Sequence, residues 1–417
     1  MKSSHYYTCI CDVSTGIEHY FLLTTVKMGR SLFIILILSM AIVSFEIEVN
    51  VVHEWKYCEY EWDSQEQKED AINSGAFNPY TCAFFDMSKA NDGRIFITTP
   101  KFFGSNMPAT LATVTNTVGL GGPLLRPYPN WSWHNSSCMC DGIVNVFRLR
   151  IHCNYIFVLD AGTIITDQVC NPKLLIFDLE DDTLVKTIYI PHDIAVNRTG
   201  SGLLGATLVY FPKECTESLD KIIVFIADSG GNGLVVYDSS KKRICRVESD
   251  YMKPTDGSFS VASQNFTMDF GILGMTIIDD DFYYTVFSGK EIYKISIKTL
   301  LECPNKEKAN KQTKLVIKLS SQTVDLSSMG HSIFYSSMSE MSIVGTKVYK
   351  ESDNNTVVLA QDEKFQVLCT SVVLSYWGKL MSLSNRFQRF VLGIINLDEI
   401  NFRIFEMDLA KIQKIMG

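Results

Sequence analysis

The sequence lacks the features that several functional classes require. Its longest basic run is Lys241-Lys242-Arg243, and its formal net charge is −8 at pH 7. Because nucleic-acid binding needs clustered Lys and Arg, we exclude a nucleic-acid partner. The seven His residues show neither His-x-His nor His-Glu-x-x-His spacing, and Cys138-Met139-Cys140 is too close for a structural zinc pair. We therefore expect no metal and no cofactor.

A membrane-spanning run is also missing. The longest apolar segment extends from Ser31 to Ser44, fourteen residues, whereas a spanning helix needs about 20. Met28-Gly29-Arg30 precedes this segment, and a basic residue before a short apolar segment is typical of a secretory signal peptide. The small residue Ser44 allows cleavage before Phe45. The sequence thus predicts a secreted, extracellular protein without stable membrane insertion.

The first 27 residues place this apolar segment unusually deep in the sequence. Either translation begins at Met28, or the segment is an uncleaved anchor. The internal start fits the anatomy of a signal peptide better. We therefore expect residues 1–27 to be a non-native or untranslated extension, residues 28–44 to be the signal peptide, and residues 45–417 to form a single domain.

Cysteines and glycosylation motifs agree with export. Of the twelve Cys residues, Cys9 and Cys11 precede Met28, which leaves ten in the mature chain. An even number of Cys in a secreted chain favours disulfides. Five Asn-x-Ser/Thr motifs predict glycosylation in the same compartment. They begin at Asn130, Asn135, Asn197, Asn265 and Asn354.

Helical periodicity is scarce, and short β-rich runs dominate the chain. Helical spacing is confined to Ser64–Ser74 and Leu397–Met416. Elsewhere, runs of β-branched and aromatic residues alternate with turn residues, as in all-β folds. A unit of a buried strand, a turn and a second strand occurs six times, with Arg389–Leu392 as the expected second strand of the last unit. The first strands end at Thr98, Asp160, Asp228, Thr285, Ser336 and Ser384, at intervals of 62, 68, 57, 51 and 48 residues.

These units define the expected architecture. A repeat of this size that is built of strands alone is typical of propeller blades of about four strands each. Blades must close into a ring, because an isolated blade cannot bury both of its faces. We therefore predict an all-β fold, a six-bladed β-propeller closed into a ring and stabilised by disulfides.

Several stretches resemble the insect Yellow/major royal jelly protein family, from Glu54 nearly to Asp408. The most specific are Pro108–Val114 and Gly122–His134, and shorter matches follow along the chain. These are Val146–Arg148, Val158–Gly162, Ala227–Asp228, Gly233–Tyr237, Phe270–Met275, Ala360–Asp362, Leu383–Arg386 and Ile400–Arg403. The resemblance implies a six-bladed propeller. The chain departs from the family pattern at Ile151-His152-Cys153, where the family has Asp-Glu-Cys, and Phe157 replaces a Trp.

The resemblance also implies two disulfides and a small-molecule site. Cys153 would pair with Cys215, and Cys140 with Cys170; the pairing of the remaining cysteines stays open. Salivary members of the family bind biogenic amines in the axial channel, and the matching positions here are Thr370, Asn385 and Phe387. A hydroxyl and an amide carbonyl can accept hydrogen bonds from an ammonium group, and a ring can stack on the ligand. Equally, these three could be strand-end residues that satisfy backbone groups.

Two functions follow as expectations. In the first, the protein is a monomeric, non-catalytic binder of a small aromatic amine of catechol or indole type, with a role in cuticle pigmentation and melanin formation. In the second, it converts dopachrome, as other family members do. That reaction needs a base in the channel. Asp160 and Asp228 are the nearest candidates, but their positions at strand ends favour turn residues. A nutritive or structural secretion would leave no residue signature.

Overall fold

The fold is described from a computed structural model of the chain. The structure describes residues 47–134, 140–213, 215, 218–348 and 356–417. The expected extension and signal peptide, Cys138 and the glycosylation motifs at Asn135 and Asn354 lie outside these residues. None of the helices in the described ranges is long and apolar enough to cross a membrane.

The described residues form six four-stranded antiparallel sheets, which are the blades of the propeller. The strands of the first half are β1 (Asn50–Trp55), β2 (Asp86–Lys89), β3 (Ile95–Thr98), β4 (Leu111–Val118), β5 (Pro123–Pro127), β6 (Val146–His152), β7 (Tyr155–Asp160), β8 (Thr163–Ile164), β9 (Asp167–Gln168), β10 (Lys173–Asp178), β11 (Leu184–Tyr189), β12 (Leu204–Tyr210), β13 (Ile223–Asp228), β14 (Gly233–Asp238) and β15 (Arg243–Glu248). Those of the second half are β16 (Ser258–Val261), β17 (Gln264–Thr267), β18 (Ile272–Ile278), β19 (Asp281–Val286), β20 (Glu291–Ser296), β21 (Lys314–Lys318), β22 (Leu326–Met329), β23 (Ser332–Ser337), β24 (Ser342–Lys347), β25 (Thr356–Gln361), β26 (Val367–Leu374), β27 (Lys379–Asn385) and β28 (Phe402–Asp408).

The blades follow one another along the chain. Blade 1 is β2–β5, blade 2 is β6, β7, β10 and β11, blade 3 is β12–β15, blade 4 is β18–β21, blade 5 is β22–β25, and blade 6 is β26, β27, β28 and β1. The pairs β8–β9 and β16–β17 are separate hairpins. The innermost strands β2, β6, β12, β18, β22 and β26 each lie against the next, and β26 lies against β2. The ring is therefore closed, which confirms the predicted six-bladed propeller.

Helices are short and lie between or after the strands. They are α1 (Gln65–Asn73), α2 (His192–Ala195), α3 (Ile297–Leu300), α4 (Lys306–Gln312), α5 (Phe387–Val391) and α6 (Leu409–Met416). The helix predicted at Ser64–Ser74 is confirmed as α1, where the Ser64 hydroxyl caps the N-terminus by accepting a hydrogen bond from the backbone N–H of Gln67 at 3.1 Å.

The repeat identified in the sequence corresponds to the second strand of each blade. The predicted ends at Thr98, Asp160 and Asp228 are the last residues of β3, β7 and β13, and the other three lie one residue inside β19, β23 and β27. All six residues of β13 are buried, because both faces of a blade pack against neighbouring blades. This two-sided burial gives the second strands continuous apolar runs, which made them the strongest signal in the sequence.

Two local predictions for blade 6 are wrong. Residues Arg389–Leu392 lie at the end of α5 rather than in a strand, and the partner of β27 is β28. The helix predicted over Leu397–Met416 begins only at Leu409, where the Asp408 carboxylate accepts a hydrogen bond from the backbone N–H of Lys411 at 3.0 Å. The apolar spacing in β28 fits a helix as well as a strand. Residues Phe402–Asp408 form a strand because they pair with β1 on one side and with β27 on the other.

Four disulfides stabilise the described part of the chain. They join Cys58 to Cys82, Cys140 to Cys170, Cys153 to Cys215, and Cys245 to Cys303. The second and third are the pairs that the family resemblance implies, and the other two were left open by the sequence. Cys153–Cys215 connects blades 2 and 3, since Cys153 lies between β6 and β7 and Cys215 lies between β12 and β13.

Candidate functional site at the centre of the propeller

A cavity lies where all six blades meet. It contains about 590 Å³ of empty space, a figure that includes the solvent at its mouth. Blades 3 and 5 contribute Leu203 and Val324, and blade 6 contributes Val367 and Cys369. Six of the fourteen lining residues are phenylalanines, which come from the other blades and α5. They are Phe85, Phe102, Phe147, Phe270, Phe287 and Phe387.

The phenylalanines form one connected aromatic wall. The ring centroid of Phe387 lies 5.9 Å from that of Phe85 and 6.4 Å from those of Phe102 and Phe287. Phe147 continues the wall, with its centroid 6.0 Å from that of Phe85. Ring pairs at these separations attract one another in tilted or edge-to-face arrangements. Such a wall accepts a flat aromatic molecule without burying unpaired polar groups.

Asn385 fixes the position of Phe387. Its Oδ1 accepts a hydrogen bond from the backbone N–H of Phe387 at 2.9 Å, and its Nδ2 donates to the carbonyl oxygen of Phe84 at 2.8 Å. Asn385 ends β27, whereas Phe84 precedes β2, so one buried amide ties the start of α5 to blade 1. The side chain is 1% exposed and lies behind the cavity wall.

Thr370 is also buried behind the wall. Its hydroxyl donates a hydrogen bond to Oδ2 of Asp325 at 2.8 Å, and the residue is fully buried in β26. Of the three residues that the resemblance placed at the ligand site, Phe387 therefore lines the cavity, while Thr370 and Asn385 contact the residues beside it. Their role in ligand binding stays a prediction.

Four charged residues beside the cavity were missed by sequence reasoning; three of them are buried and Arg150 is half-buried. Arg148 and Arg150 of β6 lie between Asp86 of β2 and Asp325, which precedes β22. The nitrogens of Arg150 are 3.8 Å from Asp86 Oδ2 and 3.3 Å from Asp325 Oδ1. Because β6 presents residues 148 and 150 on the same face, both guanidinium groups point toward the axis. The sequence feature that could have revealed this cluster is the presence of two Arg residues in a mostly apolar strand.

The environment of this charged cluster shifts its pKa values. Burial raises the pKa of Asp86 above its ordinary value, although the guanidinium groups of Arg148 and Arg150 oppose the shift. Burial alone would lower the pKa of Arg150, but the carboxylates of Asp325 and Asp86 raise it above its usual value. The Arg150 guanidinium therefore stays charged, whereas for Asp86 the effect of burial exceeds that of its two Arg neighbours.

The two strand-end carboxylates considered as bases serve the backbone. Asp160 accepts hydrogen bonds from the backbone N–H groups of Val144, Asn145 and Gly162 at 2.9–3.1 Å. Asp228 likewise accepts from backbone N–H groups of the adjoining loops. These contacts agree with their interpretation as turn residues.

A group of possible metal ligands and three glycosylation motifs can be placed. His152, Cys153 and Cys215 lie close enough to hold a metal, but the two sulfurs form a disulfide and so are not thiolate ligands.

Among the glycosylation motifs, Asn130 and Asn265 are exposed, and Asn197 is half-buried. Their glycosylation stays a prediction.

The fold and the site together define a class of protein, a closed six-bladed propeller with an aromatic cavity on its axis. A family model described as Major royal jelly protein matches residues 144–416. The chain is 30% identical over 399 residues to Major royal jelly protein 6 of Apis mellifera, which covers 89% of this chain and 88% of the relative. It is 30% identical over 388 residues to Major royal jelly protein 1 of Apis mellifera, with 87% and 88% covered. The chain belongs to the Yellow/major royal jelly protein family.

Solved structures resemble the chain only distantly. A PQQ-bound aldose sugar dehydrogenase from Streptomyces coelicolor gives a TM-score of 0.47 at 9% identity, with 87% of this chain and 98% of that one covered. A likeness of this degree supports no inference about function.

Proposed function

We propose that this protein is secreted and binds a small aromatic amine, of catechol or indole type, in the central cavity. The observation that carries the proposal is the wall of six phenylalanines around the cavity at the centre of the ring. Aromatic walls bury a flat ring favourably, and their faces attract an ammonium group electrostatically. Neither contact requires a charged partner, so the wall suits an amine that carries a ring.

Thr370 and Asn385, which the family resemblance places at the ligand site, support the wall from behind. The Thr370 hydroxyl donates its hydrogen to Asp325, and Asn385 Oδ1 accepts a hydrogen bond from the backbone N–H of Phe387. Both residues are buried away from the cavity. In the proposed complex, the ligand ring therefore stacks on Phe387, and its ammonium group contacts the aromatic faces of the wall.

The chemistry of the cavity wall favours binding over catalysis. Dopachrome conversion, the alternative function, requires a base that removes a proton from carbon. The described residues that line the cavity include no carboxylate, His or Lys. Burial raises the pKa of the lining Cys369 thiol to about 12, with Arg148 opposing the shift, so the thiol stays protonated at neutral pH. The nearest carboxylates, Asp86 and Asp325, are engaged with Arg148 and Arg150.

Secretion and a role in cuticle pigmentation or a related secretion belong to the same proposal. Four disulfides support an oxidising compartment. Membership of the family supports the proposed role in cuticle pigmentation or a related secretion. Expression in insect cells tests the first part: the chain should accumulate in the medium, with an N-terminus near Phe45 and with glycans on its Asn-x-Ser/Thr motifs. Retention of the full-length chain in cell membranes would contradict secretion.

One set of measurements on the purified protein tests binding against catalysis. Calorimetry with dopamine and serotonin should show binding, and dopachrome should disappear no faster than in buffer. Faster loss of dopachrome would favour the enzyme. Phe387→Ala should weaken amine binding. Phe211→Ala is its matched control, because both phenylalanines are 6% exposed but Phe211 packs against His152 and Phe157, away from the cavity. Equal affinity in both variants would contradict the proposed site.

A further inference from the structure

A pair of tryptophans lines a groove beside blade 1. Trp62 follows β1 of blade 6, and Trp131 follows β5 of blade 1. Their indoles stack with centroids 4.8 Å apart and an interplanar angle of 17°. The buried Tyr60 packs against both rings, with its centroid 6.0 Å from that of Trp62 and 5.9 Å from that of Trp131. Both tryptophans are half-buried, so part of each indole faces the groove.

The side-chain amide of Asn130 lies in the same groove. Asn130 is exposed, begins the motif Asn130-Trp131-Ser132, and lines the groove together with the two tryptophans. Its Oδ1 accepts hydrogen bonds from the backbone N–H of Ser132 at 3.0 Å and from the Ser132 hydroxyl at 2.6 Å. These contacts use only the oxygen of the amide, so they leave Nδ2, the atom that carries the sugar of a glycosylated asparagine, for attachment. A glycan at this position therefore starts beside an indole surface.

The chemistry of the groove matches that of a sugar. A pyranose ring has faces of C–H groups whose hydrogens carry partial positive charge, whereas the face of an indole ring is negative. Hydroxyl and acetamide groups at the edge of the sugar need hydrogen-bond donors and acceptors. Glu61, Asp63 and Arg126 also line the groove and provide both. The Glu61 and Arg126 side chains form an ion pair in which they remain 31% and 65% exposed, so both can be reached from the groove.

The other two glycosylation motifs in the described ranges lie on different surroundings. The groove at Asn265 contains Phe259 and Phe266, but these residues are only 3% and 6% exposed. Asn197 is half-buried, and its Nδ2 donates to the carbonyl oxygen of Gly231 at 3.4 Å. Asn265 is exposed, so a glycan there would have little aromatic surface beneath it. It is therefore the matched control for Asn130.

We propose that the glycan on Asn130 packs its first sugar, N-acetylglucosamine, against the indoles of Trp62 and Trp131 and thereby stabilises the fold. The inference rests on the proposed secretion, which exposes the chain to glycosylation, and not on amine binding. Burial of about 40 Å² of apolar surface changes an equilibrium constant about fivefold. Loss of the sugar contact should therefore raise the equilibrium constant for unfolding by about this factor.

Protein secreted by insect cells shows first whether the glycan is present. Peptide mapping should find Asn130 glycosylated. A secreted chain with an unmodified Asn130 would overturn this inference and leave the proposed secretion standing. A chain that is not secreted would overturn both. Failure to bind amines would contradict the proposed ligand without affecting this inference.

A double-mutant cycle then measures the contact between sugar and indole. Asn130→Gln removes the glycan and also the hydrogen bonds with Ser132, so its effect is compared between the unaltered protein and the Trp62→Ala variant. The loss of the hydrogen bonds is common to both backgrounds and cancels. In urea titrations with the disulfides intact, Asn130→Gln should raise the equilibrium constant for unfolding about three- to fivefold more in the unaltered background. The same factor in both backgrounds would contradict the inference.

Three controls assign this coupling to the first sugar. Trimming the glycan to a single N-acetylglucosamine with an endoglycosidase should preserve the coupling. Protein from the bacterial periplasm, made without glycans, should lose it. Asn265→Gln should have the same effect in the unaltered and Trp62→Ala backgrounds. The inference fails if trimming abolishes the coupling, if the coupling persists without glycans, or if Asn265→Gln couples to Trp62 as strongly as Asn130→Gln does.

Discussion

Replacing Asn385 with Ala should lower two quantities, the stability of the fold and the affinity of the protein for dopamine. The substitution removes the donor to the Phe84 carbonyl and the acceptor for the Phe387 N–H, both at hydrogen-bond distances below 3 Å. Each buried group that loses its partner costs about 1–3 kcal/mol, so the free energy of unfolding should fall by about 2–6 kcal/mol. Affinity for dopamine should fall as well, because α5 is no longer tied to blade 1 and Phe387 loses its fixed position.

Asn401→Ala provides the matched control. Asn401 is 2% exposed, and its Nδ2 donates to the backbone carbonyls of Lys56, Asn396 and Glu399. None of these lines the cavity. The control should lose a similar amount of stability and retain its affinity for dopamine at a temperature where both variants are folded. Urea unfolding with the disulfides intact gives the first quantity, and calorimetry gives the second.

Two results would refute this reasoning. If Asn385→Ala changes the free energy of unfolding by less than about 0.5 kcal/mol, as surface substitutions do, the two hydrogen bonds do not stabilise the fold as described. If Asn401→Ala weakens dopamine binding as much as Asn385→Ala does, the loss reflects general destabilisation. Asn385 would then have no specific role in positioning Phe387.

Three further predictions concern stability and reactivity. Replacing Cys245 and Cys303 with Ser opens a loop of 58 residues, and urea unfolding should show a loss of about 4 kcal/mol from chain entropy; a loss below about 1 kcal/mol would contradict the estimate. Burial lowers the pKa of His134 to about 4 from 6.5. The unfolded chain therefore binds the proton first, and stability should fall between about pH 6.5 and 4, by up to about 1.4 kcal/mol per pH unit. His134→Phe should flatten this part of the curve, and an unchanged slope would argue against it. The raised pKa of Cys369 predicts that iodoacetamide at about pH 8 labels this thiol only after denaturation; peptide mapping that finds it labelled in the native protein would show that it is accessible.

Much of the fold could be predicted from the sequence because of how blades pack. The second strand of each blade is buried on both faces, so runs such as Ile223–Asp228 stand out as continuous apolar segments. Their spacing predicts the number of blades. Blade 6 was harder to predict because β28 has an apolar spacing that also suits a helix, and its two neighbours are β27 and the distant strand β1. Only the pairing of β28 with both β27 and β1 in the closed ring shows that this segment is a strand and not a helix.

The cavity could be predicted only in part. Phe387 was placed at the site through the family resemblance, and it does line the cavity. Phe85 and Phe287, its partners in the wall, come from blades 1 and 4, and no local pattern relates residues so far apart. The charged cluster around Arg148 likewise combines residues that are far apart in the sequence. Arg148 and Asp325 are brought together by closure of the ring, so this cluster is a property of the whole propeller.

The pairing of β1 with β28 has a consequence for how the chain is made. Glu54 and Arg403, which form an ion pair across these strands, are 349 residues apart. At a synthesis rate of about 5–20 residues per second, β1 waits roughly 20–70 s for its partner. Throughout that time a strand rich in unpaired backbone donors and acceptors is available to other chains. A nonsense mutation anywhere before Phe402 makes this exposure permanent, so even a late truncation should produce an aggregating protein rather than a slightly shorter one.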